Sequence, residues 1–453
     1  MRKIILSAMA AAMVCAPLGA QETLTMEQCR RLALDNNKQI KAARQQTLAA
    51  TLTKKSYKAM FLPDFSLSGT GLYNNSDGSL SIAGGNLPVF SYAADGSTAL
   101  TGDYAYMPTT DIDYKIGLIY TAGITLQQPI YQGGKIRAAY NMAKLSEQMA
   151  TQNERLTSTD VILDTDKAYA LLVRANEMLK VAQKYNELLT ELLRNVESAH
   201  SVGLKPQNDV LKVQVKLNES ELQLRRAENA IRLAKMNLCY CIGRPLIDDI
   251  EVADSMPSLL AVAPSATLDI TSRPEYAILE KKVEIAQQNV KLTRGDMLPK
   301  VGLQLGYNYA HGIEIGDRYL LHKGSFSAIL NVSIPLFHFG ERSNKVKSAK
   351  AELAQSQLEQ ADLNEQMTLE LAQAANNLDE ALLECQIAER GLEQADENLR
   401  LSGSQYKVGV ETLSDHLEAQ SLWQQAYATQ VDSRYSLYIT YLSYQKAAGT
   451  LNF

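Results

Sequence analysis

A fixed offset between pairs of landmark residues is the strongest constraint on how this chain can fold. About 206 residues separate Gly203 from Gly409, and each glycine follows a valine and precedes Leu or Val. The same offset relates three further pairs: Pro129 with Pro335, Gly134 with Gly340, and Gly243 with Gly449. Matches at one spacing along the whole chain indicate an internal duplication. The sequence therefore predicts two copies of one structural repeat.

Each copy of the glycine motif lies between two tracts of helical pattern. The tracts run from about 135 to 200 and 207 to 240 in the first repeat, and from about 341 to 405 and 412 to 448 in the second. A glycine that ends one helix, followed by polar residues and a new helical run, is typical of a tight turn between helices. Each repeat should therefore carry a long helical hairpin with Gly203 or Gly409 at its tip.

Apolar residues on the longer tracts are spaced by three and four. In the second repeat they are Leu371, Ala374, Leu378, Ala381, Cys385, Ala388, Leu392, Ala395 and Leu399, and the small residue Ser402 continues the spacing; the first repeat has an equivalent set from Leu171 to Ala199. Sustained spacing of this kind predicts left-handed coiled-coil packing. At 1.5 Å per residue each longer helix would span on the order of 100 Å, so the helices must pack on one another.

Ahead of each long helical tract, the apolar period changes from 3.6 to 2. Four stretches alternate apolar residues with small or polar ones: 65–73, 118–127, 301–309 and 326–334. Strands of roughly ten residues with one apolar face are typical of transmembrane β-strands, although a single such strand fits a half-buried sheet equally well. Four of them behind a signal peptide favour the membrane.

The connections between these strands and their neighbours can also be predicted. Pro129 and Pro335 should end the second strand of each pair, and Gly134 and Gly340 should precede the long helices. We expect the first pair to be joined by a long surface loop on the cell exterior, near 74–113, and the second by a short loop near 310–324.

The ends of the chain and of each repeat carry recognisable signals. Residues 1–20 fit a secretory signal peptide, with a basic start, an apolar run and small residues before the cut. Lipidation at Cys15 is the disfavoured alternative, because bulky Val14 precedes it. The first repeat should then occupy 21–244, a linker 245–271 and the second repeat 272–453.

Capping boxes mark the first helix of each repeat. Thr25 with Gln28 fits one, opening a helix that runs towards Ala59, and Ser272 with Glu275 fits the other.

Composition excludes several classes of function. The net charge of −5 and the absence of basic runs argue against a nucleic-acid partner. The scattered cysteines form neither a disulfide framework nor a metal motif, and the five histidines are isolated in sequence. A metal ring of His416 beside Asp415 is only a weak candidate. We therefore expect neither an enzyme nor a cofactor-binding or metal-binding protein.

Strand number bears on assembly. Four strands cannot close a barrel alone, and open edges are not tolerated in lipid. Two copies give an eight-stranded barrel filled by side chains, whereas three copies give twelve strands and room for a water-filled lumen. We expect an α+β membrane protein, a homotrimer with a shared 12-stranded barrel continued by helices into the periplasm. A periplasmic coiled-coil adaptor or scaffold without a pore is the alternative, but it leaves the strands unexplained.

Several motifs resemble those of the TolC-type outer-membrane efflux protein family. They are Leu24 to Gln28 with Asn36-Asn37, Ser272 to Glu275, Leu62-Pro63 and Leu298-Pro299, Ala448 to Leu451, and the tip motif from Gln405 through Asp415. The resemblance covers nearly all of the mature chain. It implies a TolC-like trimer in the cell outer membrane: a passive exit channel for efflux or type I secretion, closed at its periplasmic tip.

The resemblance also implies partners and site residues. The partners would be a periplasmic adaptor and an inner-membrane transporter of the RND or ABC type, with the transporter selecting the cargo. Asp415 and Glu418 match the constriction acids, the second of which is an Asp in the family. Tyr406 and Asp209 match a latch at the tips. Glu411 stands where the family has the latch arginine, so Lys407 or Lys205 would have to replace that cation.

Overall fold

The computed structural model of the chain describes residues 22–253, 269–315, 318–320 and 322–451. Its helices are α1 Met26–Asn36, α2 Lys38–Ala59, α3 Lys135–Ser201, α4 Gln207–Ile242, α5 Pro274–Arg294, α6 Glu341–Lys407 and α7 Leu413–Ala447. Its strands are β1 Glu22–Leu24, β2 Asp64–Ile82, β3 Gly85–Tyr92, β4 Thr98–Met107, β5 Thr110–Gln132, β6 Ile250–Val252, β7 Lys300–Ile315, β8 Arg318–Tyr319 and β9 His322–Ser333. The predicted signal peptide, Cys15 and most of the predicted linker lie outside the described residues.

Two compact units make up the described chain. One contains 22–51, 145–253, 269–284 and 354–451, and it is helical apart from β1 and β6. The other contains 52–144 and the described residues between 285 and 353, and it holds the remaining strands. Each unit draws on both predicted repeats, because the chain passes from one unit to the other along its helices. The repeat boundaries themselves stay a prediction.

The strand-rich unit is built on one antiparallel sheet. Its order is β2-β5-β7, with β8 and β9 both paired to β7. The second strand of the first repeat therefore pairs with the first strand of the second repeat, joining the two repeats in one sheet. Among the described residues, β2 and β9 are the edges, each with a single neighbour. The four predicted strands are confirmed.

The predicted long loop near 74–113 is wrong. β2 continues to Ile82 and β5 already begins at Thr110, so the two strands stay paired far beyond the predicted ends. A second hairpin, β3 with β4, fills the rest of the segment. The Gly, Ser, Asn, Asp and Tyr composition suggested a loop, but cross-strand hydrogen bonding overrides such local propensity in a strand that already has a partner. Pro129 likewise does not end its strand, since β5 continues to Gln132.

Glycine conformation confirms the duplication. Gly134, Gly340, Gly203 and Gly409 all adopt positive φ, between 77° and 83°. At the two tips the hydrogen bonds also match: Leu204 N–H donates to the Ala199 carbonyl at 2.9 Å, and Val410 N–H donates to the Gln405 carbonyl at 3.0 Å. This six-residue closure is the Schellman motif that ends a helix. The tips are thus built alike, as the offset predicts.

The long helices confirm the predicted seams. α3 and α6 each contain 67 residues and end within two residues of the predicted boundaries. Buried seam residues on α6 are Leu371, Ala374, Leu378, Ala381, Cys385 and Ala388, and those on α3 include Ala175, Ala182, Tyr185, Leu189, Leu192 and Val196. Within the described residues no helix combines the length and apolarity needed to cross a membrane.

The first helix is broken, contrary to the prediction of one helix from Met26 towards Ala59. α1 ends at Asn36, and Asn37 has the extended conformation that interrupts a helix. The Asn37 side chain then accepts from the Gln39 N–H at 2.8 Å and donates to the Cys241 carbonyl at 2.9 Å. Asparagine side chains compete with helical backbone bonds in this way. The break therefore ties the start of α2 to the end of α4.

One predicted capping box is confirmed and the other is wrong. Thr25 and Gln28 make both reciprocal bonds at the start of α1. In the second repeat α5 begins at Pro274, which leaves Arg273 rather than Ser272 at the N-cap position. The Ser272 hydroxyl instead donates to the Ala448 carbonyl at 3.1 Å.

The four cysteines in the described chain are thiols, and all of them are buried. Cys241, at the end of α4, illustrates their character, because burial raises the pKa of its thiol to about 11. A thiol held protonated packs as a small apolar group and is a poor nucleophile. The prediction that these cysteines serve as apolar helix-face residues is confirmed.

Replacing Gly243 should destabilise the helical unit more than replacing Gly203. Both glycines have positive φ, so alanine at either site costs roughly 1–2 kcal/mol. At Gly243 a Cβ would also meet the Asn36 backbone at 2.8 Å, whereas at Gly203 nothing lies within 4 Å. We expect Gly243→Ala to lower the midpoint of helix loss on heating, followed by circular dichroism, clearly more than Gly203→Ala. Equal shifts would contradict the close approach of Asn36.

Candidate functional site

The sheet presents one apolar face. Leu67, Ile124, Tyr307 and Phe326 lie directly opposite one another across β2, β5, β7 and β9. In a single chain these four side chains are between 56% and 80% exposed. A neighbouring row on the same face is also apolar: Phe65, Leu126, Leu305 and Ala328. Large apolar side chains left exposed in register across a whole sheet indicate contact with lipid.

The opposite face carries small and polar side chains. Ser66, Thr125, Gly306 and Ser327 form a row across the same four strands, one residue away from the apolar row. A Cβ at Gly123 on this face would overlap the Asn308 side chain, which would have to move. The alternation predicted from sequence therefore survives in the register of all four strands. Such a face is suited to water rather than to lipid.

The junctions between strands and long helices are glycine turns. Gly134, with φ of 78°, directly precedes α3, and its carbonyl accepts from the Ala138 N–H at 3.0 Å. Gly340, with φ of 83°, precedes α6, and its carbonyl accepts from the Asn344 N–H at 2.9 Å. Pro335 lies between β9 and α6, outside regular structure. Three of the four predicted junction residues thus occupy junctions, while Pro129 lies inside β5.

Asp296 connects the two junctions, and sequence reasoning missed it. Its carboxylate accepts from Lys135 Nζ at 2.8 Å and from Lys300 Nζ at 3.4 Å. Its backbone carbonyl accepts from Arg342 Nη1 at 2.6 Å. The bond from Lys135 holds the pKa of this carboxyl below its usual value. The first residue of α3 and the second of α6 are therefore held at the same aspartate.

The predicted constriction acids lie at the start of α7. Thr412 is the N-cap, accepting from the Asp415 N–H at 3.3 Å, and its hydroxyl donates to Asp415 Oδ2 at 2.7 Å. Asp415 and Glu418 are both exposed in the single chain. Asp415 stands in the first turn of α7, where the helix dipole favours negative charge, and Glu418 stands in the second turn.

The predicted latch residues meet other partners. The Tyr406 ring stacks on the His416 ring at 5.0 Å, and Lys205 Nζ lies 5.0 Å from the Tyr406 centroid. Burial and the negative charge of Asp209 raise the pKa of the Tyr406 phenol. Asp209 itself pairs with Lys212 Nζ at 3.7 Å. Lys205 thus places a cation of the first tip against an aromatic ring of the second.

A buried polar chain lies behind Tyr406. Ser402 Oγ is 2.9 Å from both Glu411 Oε1 and His416 Nδ1, and Gln420 Nε2 is 3.1 Å from His416 Nε2. Ser402, His416 and Gln420 are each less than 8% exposed. One consistent assignment has the His416 Nδ1–H donate to Ser402, which donates to Glu411, while the Gln420 amide donates to Nε2. This assignment requires a neutral imidazole.

The charge of His416 is set by its surroundings. Burial is the largest influence and lowers the pKa of His416, Glu411 opposes that effect, and Lys407 adds to it. Glu411 is therefore a hydrogen-bonding partner in this group of buried polar side chains. The sequence offered His416 only as a metal candidate, and Ser402 and Gln420 looked like ordinary helix residues. Among the described residues no three His, Cys, Asp or Glu side chains are placed to hold a metal.

Fold and faces together define a class of protein: a duplicated outer-membrane channel subunit with a lipid-facing sheet and long helical hairpins. The sequence profile of the outer membrane efflux protein family matches residues 30–244 and 270–450. The chain belongs to that family.

Individual relatives agree with this assignment. The chain is 23% identical to the outer membrane protein TolC of Vibrio cholerae over 349 residues, 74% of this chain and 77% of the relative. It is 23% identical to the proteases secretion protein PrtF of Dickeya chrysanthemi over 351 residues, 76% and 75% of the two chains. The solved structure of the Campylobacter jejuni CmeC outer membrane channel matches with a TM-score of 0.76 and 19% identity, covering 94% of this chain and 86% of that one.

These findings establish the broad function. The protein is an outer-membrane exit channel for efflux or secretion, not an enzyme, and its helical part lies in the periplasm.

The tips should lose stability as the pH falls below about 6.5. Folding lowers the pKa of His416, so the folded state binds fewer protons than the unfolded chain. The contacts of the neutral imidazole therefore stabilise the fold fully above pH about 6.5, and this stabilisation is lost as the pH falls towards the lowered pKa. Between pH 7.5 and 5.5 the wild-type unfolding midpoint should fall further than that of His416→Gln. In free energy of unfolding, the loss due to His416 is at most about 1.4 kcal/mol per pH unit per chain.

The control for this measurement is His200→Gln, because His200 is exposed near the other tip. It should keep the pH dependence of the wild type. If His416→Gln also kept the pH dependence of the wild type, the hydrogen-bonded side chains around His416 would not be the source of that dependence.

Proposed function

We propose that three copies of this chain assemble into one duct with a shared 12-stranded barrel. The observation that carries the proposal is the sheet β2-β5-β7-β9, which has an apolar face and leaves β2 and β9 as edges. Unpaired strand edges are not tolerated in lipid, so each edge must pair with another copy. Eight strands would leave an interior filled by side chains, and twelve is the next multiple of four. The small polar row on the inner face suits a water-filled lumen.

The duct is gated at the helical tips. Asp415 and Glu418 are exposed at the start of α7, and three copies would place about six carboxylates around the axis. Rings of acidic side chains attract cations and repel anions in a narrow pore. The seal between the tips of one protomer is apolar as well as charged. Leu192, Val196, Val210, Val213 and Leu413 form a buried cluster, and Tyr406 and Leu417 pack against it.

The latch runs through Lys205 and Tyr406. Lys205 lies just after Gly203 in the first tip, and its ammonium faces the ring of Tyr406 in the second. A second cross-tip contact is the hydrogen bond from Lys212 Nζ to Ser414 Oγ, at 3.5 Å. These contacts take the place of the family's arginine, whose position holds Glu411. Because cation–π contacts at exposed sites are worth about 0.5–1 kcal/mol, this latch is weak enough to open.

Adaptor docking belongs at the same tips. Val202, Leu204, Val408 and Val410 flank the two tip glycines and are between 68% and 77% exposed. Four exposed apolar side chains on helix-ending turns have no partner within their own tips, which suits contact with the hairpin of a periplasmic adaptor. The adaptor would join the duct to an energised inner-membrane transporter of the RND or ABC type, and the transporter would select the cargo.

Removing the acidic ring should remove cation selectivity. Asp415→Asn/Glu418→Gln neutralises the pair with little change in size, so the reversal potential under a salt gradient in a planar bilayer should shift towards zero. Asp379→Asn/Glu380→Gln removes the same charge from exposed positions on the body of α6 and should keep the wild-type value. Identical selectivity in both variants would place the constriction elsewhere.

Weakening the latch should raise conductance. Lys205→Ala removes the cation facing Tyr406, and at about 0.5–1 kcal/mol per contact the open population should rise about twofold to fivefold for each latch released. Lys184→Ala is the matched control, because Lys184 Nζ lies 5.5 Å from the Trp423 ring away from the tips. Single-channel current in a planar bilayer compares the two. A rise in both variants, or in neither, would exclude Lys205 as a latch.

A further inference from the structure

Two histidines meet on the apolar face of the sheet, where the functions described above do not use them. His311 of β7 lies directly opposite His322 of β9, and Tyr120 of β5 lies directly opposite His311. The Nδ1 atoms of the two imidazoles are 2.9 Å apart. Two ring nitrogens at this distance share either one proton or one metal ion. Elsewhere in the chain, His200, His338 and His416 each bond to other kinds of group.

We propose that His311 and His322 form a surface site for a divalent transition metal, with copper(II) the best match and zinc the next. Metal–imidazole bonds are about 2.0–2.1 Å long, so two nitrogens bound at 90° to each other lie about 2.9 Å apart, and at the tetrahedral angle about 3.3 Å. The observed separation therefore fits the right-angled sites that copper(II) prefers. Copper(II) also binds nitrogen ligands most strongly among the divalent first-row metals.

An oxygen ligand stands beside the pair. The Tyr309 hydroxyl is 3.2 Å from His322 Nδ1, close enough to complete a third position. Tyr319 and Tyr120 pack on His311 with ring centroids 4.6 Å and 5.1 Å away, which restrains the imidazole. His322 is exposed, so water can reach the remaining positions. Two nitrogens, a phenol oxygen and water make a mixed set that suits copper better than calcium or magnesium, which prefer oxygen alone.

The backbone holds His311 in place through an irregularity in the strand pairing. Between Tyr120 and Ile116 of β5 the register with β7 shifts, and Gly312 takes a φ of 131° at that point. Bulges of this kind redirect side chains and often lie next to functional sites. Gly312 contacts the Leu118 backbone so closely that a Cβ would not fit. The irregularity therefore depends on glycine directly after the proposed ligand.

The site lies at the edge of the apolar band, on the side away from the helix junctions. The eight residue steps of β7 from Leu303 to His311 span about 27 Å, close to the roughly 25 Å height of an outer-membrane apolar band. The histidine row is thus at the level where lipid headgroups and water meet. A bound metal there would join β7 to β9 near the turn end of their hairpin, and it would be accessible from the cell exterior.

Copper(II) binding to protein purified without a polyhistidine tag tests the proposal. Wild type should bind one copper(II) per chain, with electron paramagnetic resonance showing coupling to two nitrogens. His311→Gln and His322→Gln should each weaken binding at least about tenfold, whereas His200→Gln, the matched control, should not. Binding should also weaken as the pH is lowered, because metal ligands must be deprotonated and protons compete with the metal.

Two results would overturn this proposal. One is binding by His311→Gln and His322→Gln equal to that of wild type, and the other is a wild-type spectrum without two coupled nitrogens. The second holds even if a variant fails to fold, since it needs only the unaltered protein. Channel conductance is measured separately, so failure of the metal site would leave the exit channel untouched.

Discussion

Glycine backbone reversals are the constraint on which the rest of this structure depends. At Gly134 and Gly340 a strand becomes a long helix, and at Gly203 and Gly409 one helix turns back along another, each with φ close to 80°. Residues with a Cβ adopt this conformation only at a cost, whereas glycine adopts it freely. Because the reversals recur at one offset, two hairpins of equal length emerge whose tips coincide. The buried cluster that includes Leu413 exists only because the tips end together.

The sheet adds a second constraint, because its two faces must meet different surroundings. The register keeps large apolar side chains on one face of all four strands and small polar ones on the other. A shift of one residue in any strand would place apolar side chains among the polar row. The same sheet leaves β2 and β9 as edges within the described residues, which is why we propose assembly with further copies. The lipid environment therefore constrains both which side chains the sheet exposes and how its edge strands must pair.

Sequence reasoning found the candidate site in outline and missed its chemistry. Tyr406, Asp415 and Glu418 were recognisable because they match residues of the family's tip motif. Ser402 was not, because its role depends on facing His416 across the turn between α6 and α7, and Gln420 looked like an ordinary helix residue four positions after His416 on α7. Asp296 carries no motif and gains its meaning from Lys135, 161 residues away in sequence. Contacts between distant segments leave no local pattern, so these residues could be identified only once the chain was folded.

The sequence by itself determined the duplication, the lengths of α3 and α6, the alternation of the strands and the family. Each of these follows from local periodicity or from a motif read along the chain. Only the tertiary structure decided that β2 and β5 extend through the expected loop, that Asn37 breaks the first helix, and that Lys205 faces Tyr406. Those outcomes depend on hydrogen bonds and ring contacts between segments far apart in the chain. Their free energies belong to the folded arrangement rather than to any one stretch of sequence.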